Sequence, residues 1–380
     1  MRRIDQIEPF RVMQLLERAK ALEAAGRHII HMEIGEPDFP TPAPVIEAAR
    51  AHLETGDNFY TPSTGEPKLQ AALSDWYRQE YGVAVAPERI LITPGTSGAF
   101  SLIYAALLEA GESVLLSDPG YPCQRNFIRL AGGEPINIPV GPESRYHLSA
   151  ELIRRHWQRG TRAAVLINPS NPTGTLIEPD AMADVAVTCR ESGGYLISDE
   201  IYHGLTYGVQ ARCALEFDAQ AIVVNGFSKR WAMTGWRIGW LLVPDELIDA
   251  CRRVMQNIFI AAPTLSQHAA LAALDCSKEV EAMRLAYDER RRYLLDALPA
   301  LGFDIVIEPQ GAFYIYANVK KITANARDFC WDLLEQAGVA VTPGEDFGSY
   351  LSDEHVRFSY ATGMDDIREG VRRLKAYLDK

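Results

Sequence analysis

Residues 163–202, AAVLINPSNPTGTLIEPDAMADVAVTCRESGGYLISDEIY, carry the pattern from which the fold class is inferred. Two short apolar runs, AAVLIN (Ala163 to Asn168) and YLISDE (Tyr195 to Glu200), flank a segment long enough for a helix. A strand, a helix and a second strand in this order are typical of a parallel sheet that is buried on both faces. The stretch therefore predicts a βαβ unit.

The same alternation continues in both directions along the chain. Further strand-like runs are Ile90 to Thr93, Ser113 to Asp118, Ala221 to Ser228 and Ile238 to Val243. Most of these runs are separated by helix-length segments such as SGAFSLIYAALLEA. We therefore expect an α/β fold with a mostly parallel sheet sandwiched by helices.

The length and a change of pattern suggest two domains. A chain of 380 residues exceeds the size at which a single core stops growing. After about Glu279 the pattern becomes a long helix followed by FDIVI, GAFYIYANV, another helix and VRFSYA, which resembles a separate α+β unit. We expect a large domain at 42–280 and a small domain made of 1–41 and 281–380.

Composition argues against several classes of function. With 50 acidic against 38 basic residues the net charge is -12, which disfavours a nucleic-acid surface. The basic run at 284–292 alternates with acids and is interpreted as a solvated helix face. The six cysteines form no CxxC pair and suggest no metal site. No stretch has the roughly 18 apolar residues of a membrane span, so a cytoplasmic protein is expected.

The sharpest chemical signal is GFSKRWAMTGWRIG, which runs from Gly226 to Gly239. Lys229 follows a strand-like run, at the sheet edge where α/β proteins bind ligands. A lysine becomes a nucleophile when burial and nearby cations lower its pKa. Ser228 and Arg237 could anchor the phosphate of a cofactor beside it. An isolated Ser-Lys pair would more often be a surface feature, but charges embedded in apolar sequence are usually partnered.

Motifs found in chain order resemble the class I and II aminotransferases, the aspartate aminotransferase superfamily of pyridoxal 5′-phosphate (PLP) fold type I. The motifs are IGEPDF, YTPSTGEPKLQAAL, GTSGAF, DPGYP, NPSNPTG, SDEIY, the lysine motif and VRFSY. They span nearly the whole chain, and NPSNPTG together with the lysine motif is specific. The resemblance implies a large domain with a seven-stranded type of sheet, PLP as cofactor and a homodimer.

The resemblance also implies a role for each residue around the cofactor ring. Lys229 would hold PLP as a Schiff base. Asp199 would accept a hydrogen bond from the pyridine nitrogen and keep it protonated, so that the ring can accept electrons. Asn171 and Tyr202 would donate hydrogen bonds to the phenolic oxygen, and Tyr121 would stack on the ring. Taken alone, an acid at a strand end would more often cap the next helix.

Five further residues would hold the cofactor phosphate. Thr96 and Ser97, at a predicted helix start, would offer hydroxyl and backbone N–H groups. Ser228 and Arg237 would complete this set within the chain. Tyr60 resembles the tyrosine that the family sends to the neighbouring subunit's phosphate, which implies two sites built from two chains.

The substrate would meet three residues. Arg357 would bind the α-carboxylate through a bidentate pair, Asn171 would contact the substrate, and Gly35 matches a segment that closes over it. The chain also departs from the family pattern. Gly98 stands where many relatives carry glutamine or glutamate, and no arginine occurs in 257–267, where relatives specific for dicarboxylates can offer one.

The resemblance predicts a ping-pong aminotransferase, in which Lys229 moves a proton and an L-amino acid passes its amino group to a 2-oxo acid. Three alternatives stay open at this point. A carbon–sulfur β-lyase would use the same cofactor. An α/β-hydrolase would use Ser97 in GTSGA as its nucleophile. A regulator that senses PLP without turnover is disfavoured, because no room precedes Gly35 for a winged-helix domain and the acidic balance offers no DNA surface.

Overall fold

The structure, a computed structural model, describes residues 3–7, 9 and 11–380. The strands in chain order are β1 (Ile30–His31), β2 (Ile90–Thr93), β3 (Ser113–Asp118), β4 (Glu134–Pro139), β5 (Thr161–Ile167), β6 (Tyr195–Asp199), β7 (Ile222–Gly226), β8 (Gly239–Leu242), β9 (Tyr314–Asn318), β10 (Val339–Ala340), β11 (Thr342–Pro343) and β12 (His355–Ser359).

The α-helices alternate with these strands over most of the chain. They are α1 (Arg11–Ala24), α2 (Ala43–Thr55), α3 (Pro67–Tyr81), α4 (Gly95–Leu107), α5 (Cys123–Ala131), α6 (Ala150–His156), α7 (Pro179–Glu191), α8 (Asp245–Ile258), α9 (Thr264–Ala273), α10 (Ser277–Ala300), α11 (Ala326–Asp332) and α12 (Met364–Leu378). No described helix is long and apolar enough to cross a membrane.

A seven-stranded sheet forms the centre of the molecule, in the order β2-β8-β7-β6-β5-β3-β4. Strand β8 is antiparallel to both β2 and β7, and the other four pairings are parallel, so the prediction of a mostly parallel sheet is confirmed. Its strands are apolar on both faces: within β2, Ile90 and Ile92 join one core cluster and Leu91 joins the other. Helices that cover both faces account for these continuous apolar runs.

The sequence did not predict β4, which pairs with β3 at the sheet edge. Its sequence EPINIP contains two prolines, and proline in a sheet is tolerated at an edge because no ladder hydrogen bond is needed there. The segment FDIVI does not form a strand in the structure. Only Asp304 pairs there, in an isolated bridge to Asn318.

Two small sheets lie outside the seven-stranded sheet. Strands β11, β12 and β9 form an antiparallel sheet in that order. Strand β1 pairs in parallel with β10, so that the beginning of the chain meets a segment more than 300 residues later. The domain boundaries at 42 and 280 stay a prediction.

Interpreting 284–292 as a solvated helix face was wrong for two of its arginines. Arg290 and Arg291 are buried. Arg290 Nη1 lies 2.7 Å from Asp38 Oδ1, and Arg291 pairs with Asp288 on its own helix and with Glu308. The contact with Asp38 fixes the loop that follows Gly35 against α10, which bears directly on the cavity described next.

Candidate active site

A cavity of about 230 Å³ lies where strands β5, β6 and β7 end. The carboxyl ends of parallel strands are the usual binding edge of such a sheet, and the volume is near the lower end for small-molecule pockets, roughly 300 Å³. The lining residues are Val12, Met13, Leu16, Ile34, Gly35, Thr96, Tyr121, Ile167, Asn171, Asp199, Ile201, Tyr202, Lys229, Tyr314 and Arg357.

Most of the residues singled out in the sequence meet in this cavity. Those that line it are Gly35, Thr96, Tyr121, Asn171, Asp199, Tyr202, Lys229 and Arg357. Ser97, Ser228 and Arg237 are not among its lining residues. Tyr60 is 80% exposed and lines a separate concave surface with 58–59 and 261–265. The roles assigned to all these residues stay predictions.

Lys229 follows β7 and extends its amine into the cavity, where Nζ donates a hydrogen bond to the Gly35 carbonyl oxygen at 2.5 Å. Burial lowers the pKa of Lys229 to about 8, Glu36 acts in the opposite sense, and Arg357 and Arg237 lower it further. A lysine amine with this pKa is available as a nucleophile or base near neutral pH.

Asp199 is the last residue of β6 and is 4% exposed. Its Oδ1 accepts a hydrogen bond from the Ile201 N–H at 3.2 Å. Burial raises the pKa of Asp199 to about 7, while the Ile201 N–H and the Lys229 charge act in the opposite sense. The carboxyl group is therefore suited to share a proton with a basic nitrogen placed in the cavity.

Arg357 lies in the middle of β12 and is 4% exposed. Its Nη1 donates to Asn171 Oδ1 at 3.0 Å, and its Nη2 donates to the Glu33 carbonyl oxygen and, at 3.3 Å, to Thr342 Oγ1. Its Nε has no partner among the described residues although it is buried. A guanidinium held by β12 and these partners suits a carboxylate, which binds arginine through two parallel hydrogen bonds.

An anion cradle lies at the start of α4. The helix begins after Pro94 without a side-chain cap, which leaves first-turn N–H groups available. The Arg237 guanidinium packs against this turn, since a Cβ on Gly95 would lie 2.7 Å from its Nη2. Arg237 itself has φ 50°, an uncommon conformation for a residue other than glycine. Helix N–H groups and a guanidinium together fit a phosphate.

Tyr314 on β9 is a site residue that sequence reasoning missed. Its hydroxyl forms a hydrogen bond with the Tyr202 hydroxyl at 2.7 Å, and its ring lies 4.3 Å from the Arg357 guanidinium carbon. A Cβ on Gly35 would lie 2.2 Å from the Tyr314 hydroxyl, so any larger residue at position 35 would displace that hydroxyl. Three aromatic residues occur in GAFYIY, and the sequence does not show which one faces the cavity.

The second missed group is the apolar face of α1 formed by Val12, Met13 and Leu16. A signal for it exists in the sequence. The apolar residues of α1 occupy more than one stripe of the helix, because Leu15, Ala19 and Leu22 form a separate buried face. A helix with two apolar faces has two neighbours to meet.

Comparison with known proteins agrees with this geometry. The family described as aminotransferase class I and II matches residues 27–374. The chain belongs to this family. Its similarity to valine–pyruvate aminotransferase of Mycobacterium tuberculosis is 38% identity over 98% of this chain and 97% of that protein. The identity is also 38% to (5-formylfuran-3-yl)methyl phosphate transaminase of Methanocaldococcus jannaschii, over 100% and 99% of the two chains.

A solved structure of an aminotransferase from M. tuberculosis matches with a TM-score of 0.95, at 38% identity over 99% of this chain and 98% of that one. The chain is a PLP-dependent aminotransferase of fold type I. These findings confirm the predicted family, fold class, cofactor and reaction. They speak against the hydrolase alternative, and no hydrogen bond joins Ser97 to a histidine within the described residues.

Proposed function

We propose that Lys229, Asp199, Asn171 and Arg357 carry out transamination in this cavity. The observation that supports the proposal is their convergence: four polar side chains from distant parts of the chain line one cavity. PLP, when bound, supplies a carbon that condenses with amines and a ring that accepts electrons from the substrate. The cavity suits it, because an amine, a buried acid and an anion cradle are all at hand.

Lys229 moves the proton. With PLP bound, its amine, with a pKa lowered to about 8 by burial, would act as the base that takes the substrate Cα proton and as the acid that returns it. With PLP bound, Asp199 would hold a proton at the pyridine nitrogen, and Tyr202 and Asn171 would donate hydrogen bonds to the phenolic oxygen. Tyr121 would cover the ring. Thr96, Ser97, Ser228 and Arg237 would hold the phosphate at the start of α4.

Arg357 binds the α-carboxylate and so orients the Cα–H bond toward Lys229. The Asn171 side chain accepts a hydrogen bond from Arg357 at 3.0 Å, so it is close enough to contact the same substrate carboxylate. Gly35, whose carbonyl oxygen accepts from Lys229 Nζ, belongs to the segment that closes over the bound amino acid. The same groups serve both substrates in turn, so the kinetics are ping-pong. The names of the relatives refer to different substrates, so they do not identify the side chain of the amino acid that this protein binds.

The chain works as a homodimer in which Tyr60 reaches the partner's site. Phe59 and Tyr60 are 77% and 80% exposed, and Ile258 and Ile260 are 56% and 50% exposed. Segments 58–60 and 261–265 are linked by Thr264 Oγ1, which donates a hydrogen bond to the Phe59 carbonyl oxygen at 2.6 Å. Exposed apolar groups gathered on one surface favour a protein interface. A cytoplasmic location is likewise proposed from the sequence.

The first test is the absorbance spectrum of the purified protein. We expect a yellow band from the covalent link between PLP and Lys229, which borohydride abolishes and Lys229→Ala lacks, whereas the control Lys320→Ala, at an exposed lysine, keeps it. Amino acids should bleach the band, and one 2-oxo acid should form per site until an acceptor is added. Continued release of pyruvate and ammonia without an acceptor would instead support the β-lyase. A colourless protein that stays so with added PLP contradicts the proposal.

Subunit mixing tests the role of Tyr60. Tyr60→Ala and Lys229→Ala are each expected to be weakly active or inactive alone. A mixed dimer contains one site with an intact Lys229 and, from the partner, an intact Tyr60, so mixing should restore activity. If Tyr60 served its own chain, no mixed dimer would contain an intact site and mixing would restore nothing.

A further inference from the structure

The cavity has one wall that the reaction chemistry does not use. Val12, Met13 and Leu16 of α1 line it, and Ile34 extends this apolar surface from the segment after β1. We call the three α1 residues the α1 wall. Leu16 lies four residues after Val12 and three residues after Met13, so its side chain neighbours both of them on the helix surface. None of them has a group that can transfer a proton or bind a phosphate.

Helix α1 is anchored by a different face. Leu15, Ala19 and Leu22 are buried in a cluster with Ile29, Leu334 and Ala340. The Arg11 N–H also donates to Asp346 Oδ1 at 2.9 Å. Packing of the helix therefore does not account for Met13, which is 45% exposed at the cavity. An apolar side chain beside a binding cavity gains burial when a ligand covers it.

The charges around the cavity restrict that ligand. Among the described lining residues only Lys229 and Arg357 are cationic, and the proposed function uses both. The arginines of α1 are paired elsewhere, Arg11 with Glu345 and Arg18 with Glu335. A second carboxylate placed against the α1 wall would thus lose water without gaining a cation, which is costly. In addition, 257–267 contains no arginine that a partner chain could contribute.

We propose that the α1 wall receives the substrate side chain and selects amino acids with an uncharged apolar side chain, aliphatic or aromatic, over aspartate and glutamate. This inference rests on the proposed function, because Arg357 must first hold the α-carboxylate. Both substrates occupy the cavity in turn, so the wall imposes the same preference on the 2-oxo acid. Val12, Met13 and Leu16 are then specificity-determining residues of this chain.

The test uses the holoenzyme and the rate at which single amino acids bleach its absorbance band. For the wild-type protein, leucine and phenylalanine should exceed aspartate by at least about tenfold, within the roughly 10- to 200-fold range of apolar pockets. Met13→Lys adds a cation to the wall and should shift the ratio toward aspartate by about tenfold. Gln14→Lys adds the same charge one residue further on, at an exposed position, and should leave the ratio within about twofold.

Two further measurements separate binding from turnover. Leu16→Ala should slow leucine more than alanine, by about fourfold for each methylene no longer covered. The unreactive acids 4-methylpentanoate and succinate should compete for the wild-type site with the monocarboxylate bound more tightly, and Met13→Lys should narrow the difference. The competition between unreactive acids does not depend on catalysis.

The outcomes are distinguishable. Aspartate reacting as fast as leucine in the wild-type protein, or Gln14→Lys changing the ratio as much as Met13→Lys, would overturn the role of the α1 wall and leave the proposed function standing. A band that no amino acid bleaches would overturn both.

Discussion

The two walls of the cavity differ in how they are built. The strand-end wall consists of Asn171, Asp199, Tyr202 and Lys229, which lie at or just beyond the ends of β5, β6 and β7. It is polar, mostly buried and supported by the centre of the seven-stranded sheet. The α1 wall is apolar and partly exposed, and it belongs to one helix near the start of the chain.

This difference separates chemistry from selectivity. Buried polar groups lose their hydration, so they need fixed partners and a rigid support. A wall that contacts a substrate only through apolar surface needs neither, because each methylene contributes about 0.8 kcal/mol wherever it is covered. Substitutions in the strand-end wall should therefore lower the reaction rate with every amino acid. Substitutions in the α1 wall should instead change which amino acids react fastest.

The largest effect is expected for Lys229→Ala. Without the amine no group of the strand-end wall can move the proton at Cα, so both half-reactions should slow by about 10⁴-fold, the upper end for a positioned acid–base group. Single-turnover formation of the 2-oxo acid from alanine, leucine and phenylalanine measures this loss, with Lys320→Ala as control. A loss confined to one of these amino acids would break the separation of the two walls.

Arg357→Lys should come next. The lysine keeps the charge but cannot make the bidentate pair or keep all the contacts with Asn171, Glu33 and Thr342. We expect kcat/KM to fall about 10²- to 10³-fold, as when a buried charged partner is truncated. The fall should be equal for amino acids of different side chain. If leucine alone were affected, the arginine would contact the side chain instead of the carboxylate.

The strand-end wall was largely predictable from the sequence, and the α1 wall was not. Strands such as Ile90–Thr93 and Ser113–Asp118 are continuous apolar runs and were predicted with their observed bounds. Because their ends meet at one sheet edge, the polar residues after them could be located without coordinates. The family motifs added Arg357, which no local pattern would have singled out.

The failures have a common cause in contacts between distant segments. Arg290 and Arg291 looked solvated because Asp38 and Glu308, their partners, lie outside the local pattern. The pairing of β1 with β10 involves two residues on each side, too few for a periodic signal. Val12, Met13 and Leu16 were not singled out from the sequence, because helical spacing alone does not say what an apolar helix face contacts. For Tyr314, the sequence did not show which aromatic residue of GAFYIY faces the cavity.

Tyr314→Phe probes the residue that lies between the walls. The ring stays beside Arg357, so KM for amino acids should change little, whereas the Tyr202 hydroxyl loses its partner at 2.7 Å. We expect kcat to fall about fivefold, the equivalent of one neutral hydrogen bond. The absorbance band of the link between PLP and Lys229 should also titrate with a higher midpoint pH.

Tyr316→Phe is the matched control, because Tyr316 lies on the same strand, does not line the cavity, and its hydroxyl has no partner among the described residues. Equal kcat losses in the two variants would show a general effect on β9. A change in KM without a change in kcat would mean that Tyr314 acts through the carboxylate instead.

The smallest effect on activity is expected for Glu200→Gln, directly behind the strand-end wall. Glu200 is buried, points away from the cavity and accepts a hydrogen bond from the Ala214 N–H at 2.8 Å, which glutamine can keep. Turnover should therefore stay within about twofold of wild type, in contrast to its neighbour Asp199. Stability, however, should change with pH, because burial raises the pKa of Glu200 from 4.5 to about 8.

The sign follows from proton linkage. Between pH 4.5 and 8 the unfolded chain has lost the Glu200 proton while the folded protein keeps it, so the free energy of unfolding of the wild type falls as pH rises. Glutamine does not titrate, so the free energy of unfolding of Glu200→Gln should rise relative to that of wild type by about 1 kcal/mol per pH unit across this window. Urea unfolding of the cofactor-free proteins at pH 5, 6.5 and 8 measures it, with the exposed Glu191→Gln as control. A gain that does not depend on pH would mean that Glu200 is ionised in the folded protein and that the core behind the strand-end wall carries a charge.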